Sequence, residues 1–429
     1  MREHTNPASK KMHFEHRKDI NRFRYLVMMC IGLSFLLFGI GTDPPQRIGE
    51  GLYRIITTPD NLISDYFSVG GIGAATVNAA LLYLISLTMM YRMNITLSGT
   101  SISSLFMMAG FGLFGKNLVN IWPIILGVFV YARTQKTEFS KYIYIALFGT
   151  AMAPMVTEAL ILPGYRFPLN FGLSLITGIM LGFVLPPLST HMFRLHRGFS
   201  LYNIGFTSGL ISTVFISVVA AFGYEITPQL IWSSGNNLLM GISLCVFMLA
   251  LILTGFILNG RSFKNYGKIL SYTGRSITDF LNFEGFALTL INMGLVGLVG
   301  VFYVLLVGSE LNGPTIGGIF AIVGFGAFGK HPKNIIPIFA GVFIASIFNK
   351  VEVNNPSIVL AALFGTTLAP ISGAFGWYFG IAAGFLHSCV VLNVGSLYDG
   401  VNLYNNGFSG GLVAAFLIPV IESFLPEES

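Results

Sequence analysis

The chain has 429 residues, of which 54% are hydrophobic and 10% are charged, with a formal net charge of +6 and a mean hydropathy of +0.74. Soluble domains carry about 25% charged residues, so this composition excludes a protein whose whole surface faces water. The positive charge does not indicate a nucleic-acid partner. It is instead assigned to loops on one side of a lipid bilayer.

The first 24 residues are polar and basic, and no apolar core with a cleavage site follows them. This pattern predicts a cytoplasmic tail over 1–21 rather than a signal peptide. Seven apolar segments come next, and most are long enough to cross about 30 Å of hydrocarbon. They fall near 25–41, 71–92, 100–115, 118–133, 141–162, 171–193 and 205–223. The sequence therefore predicts an all-α, multi-pass membrane protein.

The second half of the chain repeats the first. Residues 110–130 and 324–344 are identical at 13 of 21 positions. Further matches predict two copies, at 22–223 and 236–425, joined by a linker at 224–235. The apolar segments of the second copy fall near 236–258, 286–308, 315–329, 334–349, 357–371, 374–395 and 405–423.

Two features break the regular pattern of long segments. The third and fourth segments of each copy have only about 16 residues, which predicts half-helices or a re-entrant pair. The first copy also carries 14 extra residues near Leu162–Phe171. Pro163, Gly164 and Pro168 predict a loop or short hairpin there.

An odd number of segments per copy predicts that the two copies have opposite orientations. With the N-terminus inside, 19 Lys and Arg side chains fall at inside ends and 5 at outside ends. This bias has the direction expected of a plasma-membrane protein with a cytoplasmic N-terminus. Inverted repeats of this kind are typical of channels and secondary transporters, whose solute site lies near the midplane between the repeats.

A glycine-rich motif ends in lysine in both copies, at Gly110–Lys116 and Gly324–Lys330. It resembles a phosphate-binding loop, but Asn117 and His331 replace the Ser or Thr that holds magnesium. We therefore interpret each motif as a break between two short helices. Two roles for the lysines stay open: attraction of an anion beside the positive end of a half-helix, or a place at the membrane surface.

Asp65 and Asp279 precede the second apolar segment of each copy at equivalent positions. A Ser/Thr-x-Asp arrangement there is typical of a helix N-cap. The alternative is a pair of acidic groups that bind a cation or a proton at the two mouths of a pathway.

The motif Leu-Tyr-Asn-x-Gly-Phe precedes the last apolar segment of both copies. Its polar side chains could bind a solute by hydrogen bonds or could cap a broken helix. They are Tyr202, Asn203, Tyr404 and Asn405.

Glu158 and His387 lie within apolar segments, and neither has a counterpart of its type in the other copy. An ionisable group at membrane depth is costly, so both are candidates for solute binding. The alternatives are that Glu158 lies near the surface and that His387 is a neutral packing residue.

The sequence carries no signature of a metal site, a cofactor site or a catalytic site. His-Glu-x-x-His, C-x-x-C and G-x-S-x-G are all absent. Cys30, Cys245 and Cys389 lie inside apolar runs without paired spacing, which predicts buried side chains rather than disulfides or metal ligands. Gly-x-x-x-Gly pairs at 178–182 and 380–384 predict close helix packing. The expected partners are the bilayer and a small solute, and a homo-oligomer is allowed.

The duplicated G-F-G-x-F-G-K and A-L-F-G-T-x-x-A-P blocks resemble an uncharacterised family of multi-pass membrane proteins from Gram-positive bacteria. Its domain of unknown function occurs twice per chain, and the resemblance covers nearly the whole sequence. The layout is also loosely similar to urea and ammonium channels and to seven-plus-seven inverted-repeat transporters. The Asn-Pro-Leu-Thr signature of the first group is absent, since Asp60-Asn61-Leu62 and Arg275-Ser276-Ile277 stand in its place.

The leading functional hypothesis is a channel or secondary transporter for a small solute, with an anion as one candidate. The site is expected between the copies. The alternative is a scaffold or an intramembrane enzyme that transports nothing. A polar cavity at the interface favours transport, whereas polar residues packed against one another without a cavity favour the alternative.

The charge bias makes a topological prediction. Residues 1–24 and 261–275 should face the cytoplasm, and the linker at Gly223–Ser234 should face outside, because Lys and Arg are retained on the inner side. A single cysteine introduced at Glu225, in a variant without the three native cysteines, should react with an impermeant maleimide in intact cells. Labelling at 225 only after the cells are opened would contradict the inverted arrangement.

Overall fold

The computed structural model describes residues 7–60, 63–161, 167–223, 229–398 and 401–424. The first copy folds entirely into helices over these residues. They are α1 (Pro7–Thr42), α2 (Pro45–Thr57), α3 (Tyr66–Gly70), α4 (Ile72–Arg92), α5 (Gly99–Phe111), α6 (Trp122–Thr134), α7 (Ile143–Gly149), α8 (Ala153–Leu160), α9 (Leu169–His196) and α10 (Asn203–Ala221). Short 3-10 turns flank α7 at Phe139–Tyr142 and Thr150–Met152.

The second copy repeats this order of helices. They are α11 (Asn237–Leu258), α12 (Tyr266–Ile269), α13 (Phe280–Phe283), α14 (Phe286–Leu306), α15 (Gly313–Phe325), α16 (Pro332–Asn349), α17 (Pro356–Gly365), α18 (Ala369–Phe375), α19 (Trp377–Val394) and α20 (Asn405–Phe424). 3-10 turns lie at Thr366–Leu368 and Gly395–Tyr398.

Eleven helical segments of the described ranges are long and apolar enough to cross a membrane. The pairs α7–α8 and α17–α18 each count as one such segment. The helices α5, α6 and α15 are shorter, with 13 residues each, as the sequence predicts. The prediction of a short fourth segment is wrong for the second copy, because α16 has 18 residues. The chain is a multi-pass α-helical membrane protein.

The two short central helices begin in the same way. Ser98 and Ser101 form a capping box at the start of α5, and Asn312 and Thr315 form one at the start of α15. In each box the first side chain accepts from the N3 amide, and the N3 side chain accepts from the cap amide. The start of each short helix is therefore fixed locally.

The helices α5 and α15 pack against each other and run antiparallel, and glycine makes the contact close. A Cβ atom at Gly110 would lie 2.9 Å from the Gly317 carbonyl oxygen. A Cβ atom at Gly324 would lie 3.1 Å from the Ser103 Cα. The two contacts are equivalent: adding 214 to the number of a first-copy residue, or subtracting 214 from that of a second-copy residue, turns one contact into the other. Such reciprocity is what a two-fold relation between the copies produces.

A second reciprocal contact joins the last helices, α10 and α20. Gly205 and Gly407 face each other, since a Cβ atom on either would lie about 3 Å from the other's Cα. Nearby, the Leu201 amide donates to the Thr367 carbonyl oxygen at 3.0 Å. Leu403 donates in the same way to Ala151 at 3.2 Å. The two copies thus share one interface and form a single unit.

The Gly-x-x-x-Gly pairs are packing elements, as predicted. A Cβ atom at Gly182 on α9 would lie 2.1 Å from the Ile124 carbonyl oxygen on α6. A Cβ atom at Gly384 on α19 would lie 2.3 Å from the Ile338 carbonyl oxygen on α16. The absent side chains let the backbones approach within van der Waals contact.

Two further sequence predictions concern the cysteines and the extra residues of the first copy. All three cysteines are free, but the prediction of buried side chains is wrong, because Cys30 is exposed on α1 and Cys245 and Cys389 are half-buried. An outward cysteine costs little where the surroundings are lipid. The predicted loop near Leu162–Phe171 has its residues 162–166 outside the described part of the chain.

The helix α9 offers a matched test of the glycine packing. Gly182→Ala should lower the free energy of unfolding by roughly 1–3 kcal/mol, because the new methyl group overpacks the contact with α6. Gly172→Ala on the same helix should raise it by up to about 1 kcal/mol, because nothing lies within 4 Å of the new Cβ and alanine favours helix. Thermal unfolding of the purified variants in detergent measures both. Equal melting temperatures would contradict the assigned contact.

Candidate functional site

Each short central helix ends in a tight break that carries the lysine. Gly115 and Gly329 have φ of +90° and +94°, a conformation that glycine adopts without strain. The amide of Lys116 then donates to the Phe111 carbonyl oxygen at 2.9 Å, and that of Lys330 donates to Phe325 at 2.9 Å. Both lysines therefore follow the C-terminal ends of α5 and α15.

Two asparagines fix the backbone conformation of these breaks by hydrogen bonds. The Asn78 side chain on α4 donates to the carbonyl oxygens of Gly112 and Lys116, at 2.7 and 2.8 Å. Its equivalent, Asn292 on α14, makes the same two bonds in the second copy, both at 2.7 Å. Sequence reasoning missed this pair. The signal was a single asparagine, repeated 214 residues apart, within each second apolar segment.

Lys330 is fully buried at the interface between the copies. Its Nζ donates to the Tyr202 Oη at 2.6 Å and to the Thr366 Oγ1 at 2.8 Å. It also lies 4.6 Å from the centre of the Tyr202 ring and 5.3 Å from that of Phe325. The ammonium of one copy is therefore held by an aromatic residue of the other.

Lys116 is equally buried but is held less tightly. Its Nζ lies 3.5 Å from the Leu147 carbonyl oxygen and 3.8 Å from the Met108 Sδ. It lies 5.6 Å from the centre of the Tyr404 ring. The Tyr404 hydroxyl is buried without a hydrogen-bond partner among the described residues. In the second copy Ile322 replaces Met108, so no sulfur competes for the ammonium there.

No carboxylate of the described residues lies within ion-pair distance of either lysine. The interpretation of these lysines as surface anchors is wrong, because neither has exposed area. The predicted neighbouring half-helix N-terminus is absent at Lys116, which lies six residues before α6 begins. Without Lys116 and Lys330, 18 Lys and Arg side chains fall at the predicted inside ends of the segments and 4 at the outside ends. The bias that predicts a cytoplasmic N-terminus therefore remains. Charging a buried amine that has no counter-ion is strongly unfavourable, and a negative partner would lower that cost.

The two tyrosines of the duplicated motif stack at the interface, with ring centres 6.4 Å apart. They border a cavity of about 230 Å³ that both copies line. Its hydroxyl and amide groups come from Thr100, Ser103, Tyr144, Tyr202, Asn203, Ser276 and Tyr404. Its aromatic rings come from Tyr144, Phe148, Phe193, Tyr202, Phe325, Phe328 and Tyr404.

The equivalent region on the other side of the interface is packed by rings. Phe111 lies 5.4 Å from Phe364 and 4.9 Å from Phe114, measured between ring centres. The equivalent distances on the cavity side are longer, at 6.0 Å from Phe325 to Phe148 and 6.2 Å from Phe325 to Phe328. The rings around Phe111 are thus packed more closely than their equivalents around Phe325, on the cavity side.

Asp65 and Asp279 cap helices in both copies. Asp65 accepts from the Phe67 amide at the start of α3, and Asp279 from the Asn282 amide at the start of α13. Each also accepts from the first residue of the other copy's short helix. Asp65 accepts from the Gly313 amide at 3.1 Å, and Asp279 from the Gly99 amide at 3.0 Å. This reciprocal capping ties each short helix to the opposite copy.

The local environment of these aspartates does not build a metal site. Burial raises the pKa of Asp65, and hydrogen bonds from Ser233 oppose that rise. Within the described ranges no three His, Cys, Asp or Glu side chains are close enough to hold a metal ion together. Binding of a cation or a proton by either aspartate stays a prediction.

The asparagines of the duplicated motif anchor the last helix of each copy. Asn203 donates to the Ser189 carbonyl oxygen at 3.0 Å, and Asn405 donates to Val391 at 3.4 Å. The acceptors are equivalent residues of α9 and α19. Asn203 also contacts His196, which sequence reasoning missed, at 2.9 Å. Only Asn203 of the two asparagines lines the cavity.

Glu158 and His387, the two ionisable candidates without a counterpart in the other copy, lie away from the lysines. His387 on α19 is buried and hydrogen-bonded to Asn406 and to Ser409, each at 3.1 Å. It ties α19 to α20, as the packing interpretation requires. Glu158 on α8 is half-buried, and its Oε1 has no hydrogen-bond partner among the described residues. The structure does not bring either residue into the lysine site.

Asp60 is a buried carboxylate that sequence reasoning did not single out. Four side chains donate to it: Tyr66 at 2.6 Å, Asn117 at 3.2 Å, Asn120 at 3.1 Å and Thr157 at 2.9 Å. Burial raises the pKa of Asp60 to about 8, although these hydrogen bonds act in the opposite direction. Gly274 occupies the equivalent position in the second copy, so only the first break has this acidic group.

Comparison with protein families identifies the repeated unit. A family described as "Protein of unknown function (DUF1576)" matches residues 44–221 and 258–423. The chain belongs to this family. Each match contains one glycine-lysine break and one Leu-Tyr-Asn motif, so the DUF1576 unit supplies half of the lysine site. No curated protein and no solved structure matches the chain.

The asparagine bridge of the DUF1576 unit makes a stability prediction. Asn78→Leu should lower the free energy of unfolding by roughly 2–6 kcal/mol, because two buried carbonyl oxygens each lose a donor at about 1–3 kcal/mol. Asn393→Leu, at an exposed residue bonded within its own helix, is the control and should change it little. Thermal unfolding in detergent measures both variants. A loss no larger than that of the control would show that Asn78 does not hold the break.

Proposed function

We propose that this protein carries a small anionic solute across the cell membrane, with the solute bound between the two copies. One observation supports the proposal most strongly: Lys116 and Lys330 are fully buried at that interface, and no carboxylate of the described residues lies within ion-pair distance of them. Each contacts a tyrosine of the opposite copy. An anion entering this site would regain much of the electrostatic energy that the ammonium groups lost on burial.

The antiparallel contact of α5 and α15 supports an inverted arrangement of the copies. These helices are equivalent, so a two-fold axis that relates them must be perpendicular to their common direction. If they run along the membrane normal, that axis lies in the membrane plane and the copies have opposite orientations. The charge bias supports a cytoplasmic N-terminus in the plasma membrane.

The one-sided cavity favours a transporter over an open channel. Rings close the interface around Phe111, Phe114 and Phe364, while the 230 Å³ cavity lies on the other side. The cavity is bordered by Phe193 and Ser276, which are adjacent to loops predicted to be cytoplasmic. If the two copies exchanged their packing of aromatic rings, the cavity would close on its present side and a cavity would open on the opposite side.

The alternative of a scaffold receives less support. A scaffold needs no space between its two halves, whereas here residues of both copies line a cavity. An intramembrane enzyme would also need a reactive group there. The buried lysines are suited to binding, since an ammonium group donates hydrogen bonds to an anion.

Uptake into reconstituted vesicles tests the proposed function. The protein is reconstituted and offered a panel of probes: acetate, benzoate, phosphate, sulfate and nitrate, with urea and glycerol as neutral comparators. At least one anion should enter faster than in protein-free vesicles. Lys116→Gln and Lys330→Gln should each reduce that uptake by about ten- to a hundredfold, the effect of losing a hydrogen bond to a charged group.

Three controls sharpen the uptake experiment. Lys350→Gln removes an exposed lysine and should leave uptake unchanged. Lys→Arg at either buried site should be milder than Lys→Gln, since charge is retained. The loss should persist at high salt, because buried groups are poorly screened. Uptake of neutral probes alone, or full anion uptake by both Gln variants, would overturn the proposal.

A further inference from the structure

Asp60 lies in the connection between α2 and α3 and is buried without a positive partner. Its side chain has no exposed area, and no cationic side chain of the described residues lies within ion-pair distance of it. The nearby cations are bonded elsewhere. Lys116 contacts the Leu147 carbonyl oxygen, and Arg54 on α2 donates to that of Val69. A buried carboxylate that lacks a cation is costly when charged, so burial favours its neutral form.

The partners of Asp60 suit either state of its carboxyl group. When it is ionised, its Oδ1 accepts from Tyr66. Its Oδ2 accepts from Asn117, Asn120 and Thr157. Two of these partners are hydroxyls, which accept hydrogen bonds as well as donate them. When the carboxyl group holds a proton, a hydroxyl can accept that proton after its own hydrogen rotates away.

The second copy builds an equivalent break without a carboxylate, because Gly274 occupies that position. The asparagine bond to the glycine of the break is kept, from Asn120 to Gly115 at 3.0 Å and from Asn334 to Gly329 at 2.9 Å. The two hydroxyl partners are replaced by phenylalanine and glycine. The acidic group and its hydroxyls are therefore not required to form a break, which indicates a separate role for them.

The carboxyl group of Asp60 exchanges its proton near neutral pH. Burial raises its pKa to about 8, the hydrogen bonds lower it, and the charge of Glu158 on α8 raises it further. The preceding helix α2 has exposed charged residues at Arg47, Glu50 and Arg54. They indicate that this connection lies close to water, which supplies and takes up the proton.

Asp60 is joined to the break that carries the first lysine. The Asn120 side-chain nitrogen lies 3.1 Å from the Asp60 Oδ2 and 3.0 Å from the Gly115 carbonyl oxygen. Asn117, another partner, directly follows Lys116 in the chain. The charge of Asp60 therefore contributes to the electrostatic potential of this region. An anion is repelled by the ionised carboxylate and not by the protonated acid.

We propose that Asp60 is a proton-binding site and that its proton is carried together with the anion. This inference rests on the proposed function for the anion and adds the coupling ion. The proton adds to a carboxylate oxygen when the anion binds and leaves to water when the anion is released. Only an O–H bond forms and breaks, and a monovalent anion with one proton moves no net charge.

Proton binding is tested on the purified protein in detergent, without any solute. Aspartate is ionised above about pH 4 in the unfolded chain, whereas the folded protein holds this proton up to about pH 8. The parent should therefore lose stability as the pH rises through this window, because the folded state binds more protons. Asp60→Asn binds no proton, so its melting temperature should rise relative to that of the parent from pH 5 to 8, within about this window.

Two further variants control this experiment. Glu50→Gln removes an exposed carboxylate of α2, and its melting temperature relative to the parent should show no such trend. Asp60→Glu keeps a proton-binding group and should restore the trend of the parent. Infrared difference spectra of the parent between acid and alkaline pH give a second measurement. They should contain a carboxylic-acid band that Asp60→Asn lacks and Glu50→Gln keeps.

Coupling is tested in vesicles that contain a pH-sensitive dye, with each anion of the panel. Protein-free vesicles subtract the passage of undissociated acids. Anion entry through the parent should bring protons with it, and an acidic outer medium should accelerate entry by about five- to a hundredfold, the usual range for linked sites. Asp60→Asn should exchange anion for anion but should move no protons.

The results distinguish this inference from the proposed function. A pH trend that does not depend on Asp60 would overturn the proton site and leave anion transport standing. Lysine-dependent anion uptake without proton entry would overturn the coupling. Absence of uptake for every anion would defeat the transport proposal and the coupling with it, whereas the pH trend would still support proton binding by Asp60.

Discussion

The structure depends on the burial of two lysine side chains, neither of which forms an ion pair with a carboxylate of the described residues. Removing a charged group from water costs several kcal/mol even after the protein relaxes. The fold offsets part of this cost with aromatic rings, carbonyl oxygens and hydroxyls around Lys116 and Lys330. Such groups stabilise a cation partially, because each carries only a partial negative charge.

Neither copy could build this site by itself. The breaks come from the ends of α5 and α15, and the tyrosines that face them come from the opposite copies. The caps are exchanged in the same way, because Asp65 and Asp279 each bind the first amide of the other copy's short helix. These hydrogen bonds connect the start of each short helix to the opposite copy.

Divergence between the copies makes the two halves of the interface different. Met108, Thr100 and Tyr144 in the first copy correspond to Ile322, Pro314 and Leu360 in the second. The first set includes the hydroxyls that border the cavity, whereas its equivalents are apolar. The two halves of a nearly symmetric interface thus differ in the chemistry of their side chains.

The sequence by itself determined the membrane class, the two copies and most helix boundaries, because hydropathy and repetition are properties of the chain alone. It also identified the glycine-lysine breaks and the Tyr-Asn motifs. Only the tertiary structure decided that Lys116 and Lys330 are buried and face tyrosines of the other copy. It also brought Asp60 and Asn78 to the breaks. Burial and pairing across copies depend on contacts between distant residues, and no local pattern encodes them.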